Sequence, residues 1–230
     1  MNRSFYKTFL CVGALLLCIT EHSTFASDYR VSVAQKEPPK EVNEAIGKTL
    51  QPATVQLHSG GKLAFEIWLR TEVPLQSAPE SPAKALDAIK QSTLLGVIAI
   101  PSDKRDYKDS ELPAGVYTLR FGLQPQDGNH LGTAEFSYFA VLVGAKKDAQ
   151  IDGITDYKSL VKASKDGTPS DHPVILSLRP ASSADGVAPK LSEPATEHKS
   201  VLLRIPARVA GSIETSSLSF ELVFEGKGKT

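Results

Sequence analysis

The chain has 230 residues, and its 26 lysines and arginines balance 26 aspartates and glutamates, so the formal net charge is zero. This balance excludes the overall positive charge typical of proteins that bind nucleic acid or anionic membranes, although it permits a local basic patch. Hydrophobic residues make up 41% of the chain, a composition typical of globular proteins rather than disordered ones. A chain of this length forms one or two domains and can be stable without a metal or a disulfide.

The N-terminal segment has the three parts of a secretory signal peptide. Arg3 and Lys7 give a basic start, residues 9–19 are mainly apolar, and residues 24–26 (Thr-Phe-Ala) provide a cleavage site. The apolar part is shorter than the roughly 20 residues that a membrane-spanning helix needs. We therefore expect residues 1–26 to be removed, which leaves a secreted or periplasmic protein with no transmembrane segment. The alternative is an uncleaved anchor or a buried N-terminal helix.

Both cysteines lie in this segment, at Cys11 and Cys18, and so does the single methionine, Met1. A lipoprotein would carry its lipid on Cys18, but Leu17 stands where lipoboxes have Gly, Ala or Ser. The expected mature chain, residues 27–230, therefore contains no sulfur. This excludes disulfides, thiol catalysis and cysteine–zinc sites from it.

Alternation of apolar and polar residues predicts that most of the remaining chain is β-strand. A weak strand begins at Tyr29, and two strands on either side of the turn Ser59-Gly60-Gly61 form a hairpin. The continuous apolar run at residues 94–100 predicts a central strand that is buried on both faces. Further strands are predicted at residues 115–124, 134–143, 174–179, 201–205 and 218–224.

Two segments, residues 82–91 and 155–164, carry apolar residues three and four positions apart and are predicted to be short helices. Residues 73–82 and 180–199 are predicted to be loops. The second of these is rich in Pro, Ala, Ser, Glu and Lys, which predicts a flexible loop. The pattern indicates a single, mainly β domain over residues 27–230, an antiparallel β-sandwich or jelly-roll-like fold with two short inserted helices.

A first candidate site is the polar loop at residues 124–133, which contains Asp127, Asn129 and His130. Hairpin loops usually have about two to five residues, so this one is longer than a turn requires. Asp127 could orient His130 for proton transfer, or both could bind a metal together with His172. The alternative is ordinary turn chemistry in the Asp-Gly-Asn segment. Because no HExxH, HxH or cysteine pair is present, no metal site and no cofactor is predicted.

A second candidate site is the polar side of the predicted sheet. Trp68 would offer a flat apolar platform, and Arg70 and Arg120 planar donors to carboxylates, as in a carbohydrate-binding sandwich. The alternative is a solvated face with Arg/Glu pairs between strands, in which a loop or helix covers Trp68. Five arginines fall on the polar side of different predicted strands: Arg30, Arg70, Arg120, Arg179 and Arg204.

Residues 112–120 (Leu-Pro-Ala-Gly-Val-Tyr-Thr-Leu-Arg) resemble the Pro/Ala-Gly-x-Tyr-x-Leu entry to a strand in exported bacterial β-sandwich domains. Residues 114–142, followed by residues 157–178, are similar to a family of uncharacterised exported bacterial proteins. From residue 112 to residue 178, the resemblance extends over about a third of the chain. The resemblance implies a β-sandwich fold and export, and it implies no catalytic residues.

These observations predict an exported binding or structural protein whose ligand is a carbohydrate or another protein. The chain has no GxSxG elbow, P-loop, GxGxxG turn or EF-hand loop, which favours a protein that is not an enzyme. One alternative is a metal-dependent or acid/base hydrolase that uses Asp127, His130 and His172. Another is an envelope scaffold, for which an exposed apolar patch at a strand edge would be typical.

Overall fold

The computed structural model describes residues 29–106, 109–124, 137–154, 156–166, 172–181, 187–192 and 198–226. The strands are β1 Tyr29–Gln35, β2 Leu50–Ser59, β3 Lys62–Arg70, β4 Val73–Leu75, β5 Leu94–Ile100, β6 Lys104–Arg105, β7 Glu111–Leu112, β8 Gly115–Leu123, β9 Tyr138–Gly144, β10 Ile175–Pro180, β11 Lys190–Ser192, β12 Lys199–Val209 and β13 Thr215–Glu225. The helices are α1 Glu44–Gly47, the 3-10 helix Pro82–Ala88 and α2 Tyr157–Lys165. Within the described ranges, no helix has the length and apolar character needed to cross a bilayer.

Most strands belong to one large sheet in the order β1-β2-β3-β5-β8-β9-β10-β13-β12-β11, with antiparallel neighbours throughout. β4 adds to β12 in parallel, and β6 pairs with β7 apart from this sheet. The sheet curls until β11 comes within 8 Å of β1, measured between Cα atoms. Nevertheless, no hydrogen-bonded ladder joins these two edges in the described part of the chain.

The mainly β architecture is confirmed, but the two packed sheets of a β-sandwich or jelly roll are not found. The strands instead form a half-barrel that curls around one core. Alternation explains this core, because every second residue of each strand points to the concave side. In β3, for example, Phe65, Ile67 and Leu69 belong to it. The 3-10 helix adds Leu86, which is fully buried.

The convex side of the sheet is also partly covered, by two smaller apolar clusters. Trp68 packs there with Ile46 of α1, and Leu160 of α2 packs on Val141 and Val143 of β9. The centre of the sheet is therefore buried on both faces. This confirms the prediction for β5, whose bounds equal the apolar run at residues 94–100.

Most predicted elements are found, with local differences. The turn between β2 and β3 has positive φ at Gly60 and Gly61, as a tight hairpin requires. The first predicted helix is a 3-10 helix that ends at Ala88, and α2 begins after its N-cap Asp156. Residues 134–136, the start of one predicted strand, lie outside the described residues, as does the predicted signal peptide.

Two strands formed where loops were predicted. β4 lies within the predicted loop at residues 73–82, and β11 lies within the predicted flexible loop at residues 180–199. Both are three residues long, and both gain their hydrogen bonds by pairing with β12. A distant strand edge, rather than a local pattern, determines these two elements.

Candidate functional site

Trp68 lies on the convex face, as its alternation predicts, but it is fully buried. Ile46, Leu50 and Leu94 pack around it, and its indole Nε1 donates a 2.8 Å hydrogen bond to the carbonyl of Lys36. A ring enclosed in this way cannot stack on a sugar. The prediction of an exposed aromatic platform is therefore wrong, and the alternative, a tryptophan covered by a helix, is confirmed.

Arg120 is also fully buried and holds the chain that follows β9. Its Nε and Nη2 donate to the two carboxylate oxygens of Asp148 at 2.6 and 2.7 Å, and its Nη1 donates to the carbonyl of Ser92 at 2.9 Å. Thr118 donates a further hydrogen bond to Asp148. Because Arg120 is fully buried and its three nitrogens already donate to these groups, the prediction that it is a donor to a ligand is wrong.

The other arginines of this face differ in their partners. Arg179 forms an ion pair with Glu221, its neighbour across β10 and β13, as expected for a face of paired charges. Arg204 donates to Ser219 at 3.2 Å. Arg70 is half-buried, and burial lowers the pKa of its guanidinium while nearby Asp152 opposes this shift. The pattern of arginines thus reflects packing of the convex face more than one shared site.

The loop candidate cannot be assembled from the described residues. Asp127, Asn129 and His130 lie outside them, so their convergence with His172 stays a prediction. His172 is exposed and lies between α2 and β10. Across the described residues, no group of three or more His, Cys, Asp or Glu side chains is arranged to hold a metal ion.

The sheet also forms a groove that the sequence did not predict. β11 and β4 both add to the same edge of β12, one at residues 200–202 and the other at residues 207–209. The edge between them faces β1, β2 and β3 across a cavity of about 220 Å³, which we call the seam groove. It is lined by Val33, Gln51, Ala53, Thr54, Val55, Leu69, Ala188, Pro189, Leu203 and Arg204.

The surface of the seam groove is mainly apolar. Its floor is formed by core residues, among them Leu69 and Leu203. Three lining side chains are polar, and each already donates a hydrogen bond within the protein: Gln51 and Thr54 to backbone carbonyls at 3.0 and 3.2 Å, and Arg204 to the Ser219 hydroxyl at 3.2 Å. Four large apolar side chains are exposed among the described residues, and two of them lie at this rim: Val33, 54% exposed, and Val187, 82% exposed and adjacent to Ala188.

One end of the seam is closed by contacts between its two sides. The Tyr29 hydroxyl donates to Glu225 at 2.5 Å, its ring packs on Phe224, and Lys199 donates to Glu225 at 2.6 Å. Burial raises the pKa of the Tyr29 hydroxyl, and the Glu225 carboxylate raises it further. Burial alone would raise the pKa of Glu225, but hydrogen bonds from Lys199 and Tyr29 lower it below its usual value. The seam is therefore fixed at Tyr29 and open at Val33.

A sequence signal for this seam does exist. Pro206 lies within β12, and proline has no N–H to donate, so it is tolerated at a strand edge rather than between two paired strands. The residue thus marks the part of β12 that has no partner in the described structure. Comparison with protein-family models, curated proteins and solved structures found no match to this chain.

Proposed function

We propose that this chain is an exported peptide-binding protein that holds an extended segment of a partner protein in its open seam. Export is supported by the signal-peptide pattern of residues 1–26. The observation that carries the binding proposal is the seam itself, where two sheet edges meet above an apolar groove and are not paired within the described ranges. The partner segment would pair with β1 and place an apolar side chain in the groove.

The backbone of β1 supports this mode of binding. β1 is the last strand at its end of the sheet and pairs on one side with β2. In such an edge strand, alternate N–H and C=O groups point away from the sheet and need a partner. An extended peptide supplies these partners by adding one more strand, a recognition mode that depends little on peptide sequence.

The seam groove supplies the side-chain contact that such a peptide needs. Side chains of an extended segment alternate between its two faces, so every second one can point towards the groove. A cavity of about 220 Å³ has room for one or two aliphatic side chains. Burying one Val or Leu side chain contributes about 1.5–3 kcal/mol. This contribution would give preference for an apolar residue at one peptide position.

A peptide fits the seam better than a second copy of this chain. Symmetric pairing of two β1 strands would have to bring a second folded sheet to the seam along with its β1 edge. The Tyr29 end is closed by its contacts with Phe224 and Glu225. A peptide needs only the open part near Val33, which is 54% exposed.

The test is isothermal titration with capped heptapeptides of alternating threonine and apolar residues, with a glutamate at each end for solubility. We expect binding to the unmodified protein, and at least about tenfold weaker binding when alternate peptide amides are N-methylated, because each lost hydrogen bond costs about 0.5–1.5 kcal/mol. Val33→Lys should also weaken binding about tenfold or more, because it places a charge at the apolar rim. The matched control is Ile213→Lys, which changes another exposed apolar residue, 92% exposed, at the turn between β12 and β13.

Three results would contradict the proposal. The first is that no peptide of the series binds with a Kd below about 1 mM. The second is that N-methylation has no effect, or that Ile213→Lys weakens binding as much as Val33→Lys. The third is a dimer in sedimentation analysis that Val33→Lys dissociates, because the seam would then be occupied by a second copy.

A further inference from the structure

A second surface, away from the seam groove, gathers lysines on the convex side around α2 and the turn that follows β9. Its members line two grooves or connect them, and we call the set the lysine surface. It consists of Lys40, Lys146, Lys147, Lys158, Lys162 and Lys165.

The helix α2 contributes half of the lysine surface. Lys158, Lys162 and Lys165 are spaced four and three residues apart, so they lie along one side of the helix. Lys158 and Lys162 are exposed, and the rise between them is about 6 Å. They border an open groove of about 380 Å³ whose other lining residues are Tyr157, Val161, Lys165 and Asp166.

The turn after β9 joins this groove to a second one. The ammonium of Lys147 donates to the backbone carbonyl of Asp166 at the end of α2. Its neighbour Lys146 lines a groove of about 470 Å³ together with Lys40. Lys146 and Lys147 are consecutive, so this turn places one lysine beside each groove.

The carboxylate that follows Lys146 and Lys147 in sequence does not offset the positive charge of the lysine surface. Asp148 follows Lys146 and Lys147, but it is buried and bound by Arg120 and Thr118. These hydrogen bonds hold the turn in place and keep the Asp148 carboxylate in the interior of the protein. Of the lysine surface, Lys40, Lys146, Lys158 and Lys162 form no ion pair in the described part of the chain, where the lysines with ion pairs include Lys36, Lys48, Lys84 and Lys199.

The acids that accompany the lysine surface are fewer than its lysines. Glu41 and Asp166 line the grooves, and Asp156 caps α2. The Asp156 carboxylate accepts hydrogen bonds from the backbone N–H and the hydroxyl of Ser159, and these bonds lower the pKa of Asp156. Among the described residues, six lysines thus face three acids, in a chain whose formal net charge is zero.

We propose that the lysine surface binds an acidic polysaccharide. Lysine ammonium groups can follow repeated carboxylates without the fixed geometry that arginine imposes. The half-buried Tyr157 and Val161 give the α2 groove apolar surface against which a sugar ring can pack. Arginine, which recognises phosphate through two parallel hydrogen bonds, is absent from the described lining of both grooves, and this favours carboxylates over nucleic acid.

A membrane surface is a poorer partner for the same helix. An interfacial helix inserts its apolar side into the lipid. The apolar side of α2 instead packs against the sheet, where Leu160 is fully buried on Val141 and Val143. The helix therefore offers lysines and a shallow groove, and it has no free apolar side to insert.

The test measures binding to sodium alginate, a carboxylated polysaccharide, with neutral dextran of similar size as the comparison. We expect binding to alginate only, weakened when NaCl is raised from about 50 to about 300 mM, because salt screens exposed charges. The variant Lys158→Gln/Lys162→Gln should bind alginate about fivefold to tenfold more weakly. The control Lys62→Gln/Lys190→Gln removes two exposed lysines outside both grooves and should leave binding unchanged.

The proposal is overturned if alginate does not bind, if dextran binds equally well, or if the control variant loses as much affinity as the α2 variant. It is also overturned if double-stranded DNA binds more tightly than alginate and the α2 variant abolishes that binding, since the surface would then recognise nucleic acid. An unchanged melting temperature of the α2 variant shows that any loss is local. The seam groove contains none of these lysines, so peptide binding by the same variant reports separately on the proposed function.

Discussion

At the scale of single residues, the buried pair of Arg120 and Asp148 is the most consequential interaction of the convex face. Both side chains are removed from water, and their bidentate contact is completed by Thr118 and by the carbonyl of Ser92. Two charges are tolerated in this place because each has several partners. The pair connects β8 to the turn that carries Lys146 and Lys147.

We predict that Arg120→Met lowers the free energy of unfolding by about 3–5 kcal/mol, because it leaves the Asp148 carboxylate buried without its partner. Urea denaturation measures this loss. The double variant Arg120→Met/Asp148→Leu removes both charges and should recover at least half of it. A loss below about 1 kcal/mol in the single variant would show that the pair does not support the fold.

Residue patterns predicted the face of the sheet on which these side chains lie, but not their burial. Trp68, Arg70 and Arg120 alternate correctly with the core residues of their strands. Whether such a face is exposed to solvent depends on which segments pack over it. Here α1 and residues 145–154 cover it. The residues of both covers lie more than 20 positions away in sequence from the side chains that they bury. A pattern of local alternation therefore could not distinguish a ligand face from a packed one.

At the scale of elements, the backbones of β3 and β5 approach each other closely at a glycine. Gly96 of β5 lies opposite Leu69 of β3. A Cβ atom on Gly96 would overlap the backbone carbonyl oxygen of Trp68. Gly96 thus allows the backbones of β3 and β5 to approach each other closely next to Trp68.

We predict that Gly96→Ala lowers the free energy of unfolding by about 1–3 kcal/mol, because β3 and β5 must move apart. The matched control is Gly47→Ala at the end of α1, where a Cβ meets no atom within 4 Å. The control should leave stability unchanged or raise it by about 0.4–1 kcal/mol. Equal melting temperatures for the two variants would contradict the close approach.

Elements with a strong pattern of their own were predictable, and elements that depend on a partner were not. The apolar run of β5 is long enough to specify a buried strand at residues 94–100. β4 and β11 are three residues long, and their sequences include proline or polar residues that favour a loop. They become strands because the edge of β12 that faces away from β13 is available to both. The seam groove between them was unpredictable for the same reason.

At the scale of the whole molecule, the shape depends on how the two ends of the sheet meet. Glu225 of β13 binds Lys199 of β12 and Tyr29 of β1, so it connects strands from opposite ends of the strand order. The Lys199 ammonium also lies over the Tyr29 ring, 5.1 Å from its centre. These contacts fix the curl of the half-barrel at one end of the seam.

We predict that Glu225→Gln is less stable than the unmodified protein at pH 7 and that this difference shrinks as the pH falls towards 3. The pKa of Glu225 is lower in the folded protein than its usual value. Its contribution is therefore present above the usual carboxyl range and is lost as the pH falls through the lowered value. Urea denaturation at both pH values measures the difference. Glu37→Gln, at an exposed glutamate just after β1, is the control, and a pH-independent difference for Glu225→Gln would contradict the prediction.

The contact between Tyr29 and Glu225 also has a consequence for folding, because it joins residues 196 positions apart in the chain. Bringing such distant residues together costs loop-closure entropy, which intervening contacts must first offset. We therefore expect this contact to form after the central strands have paired. The seam groove has walls from both ends of the sheet, so a partly folded chain has no site to offer. Peptide binding would then report that the last step of folding is complete.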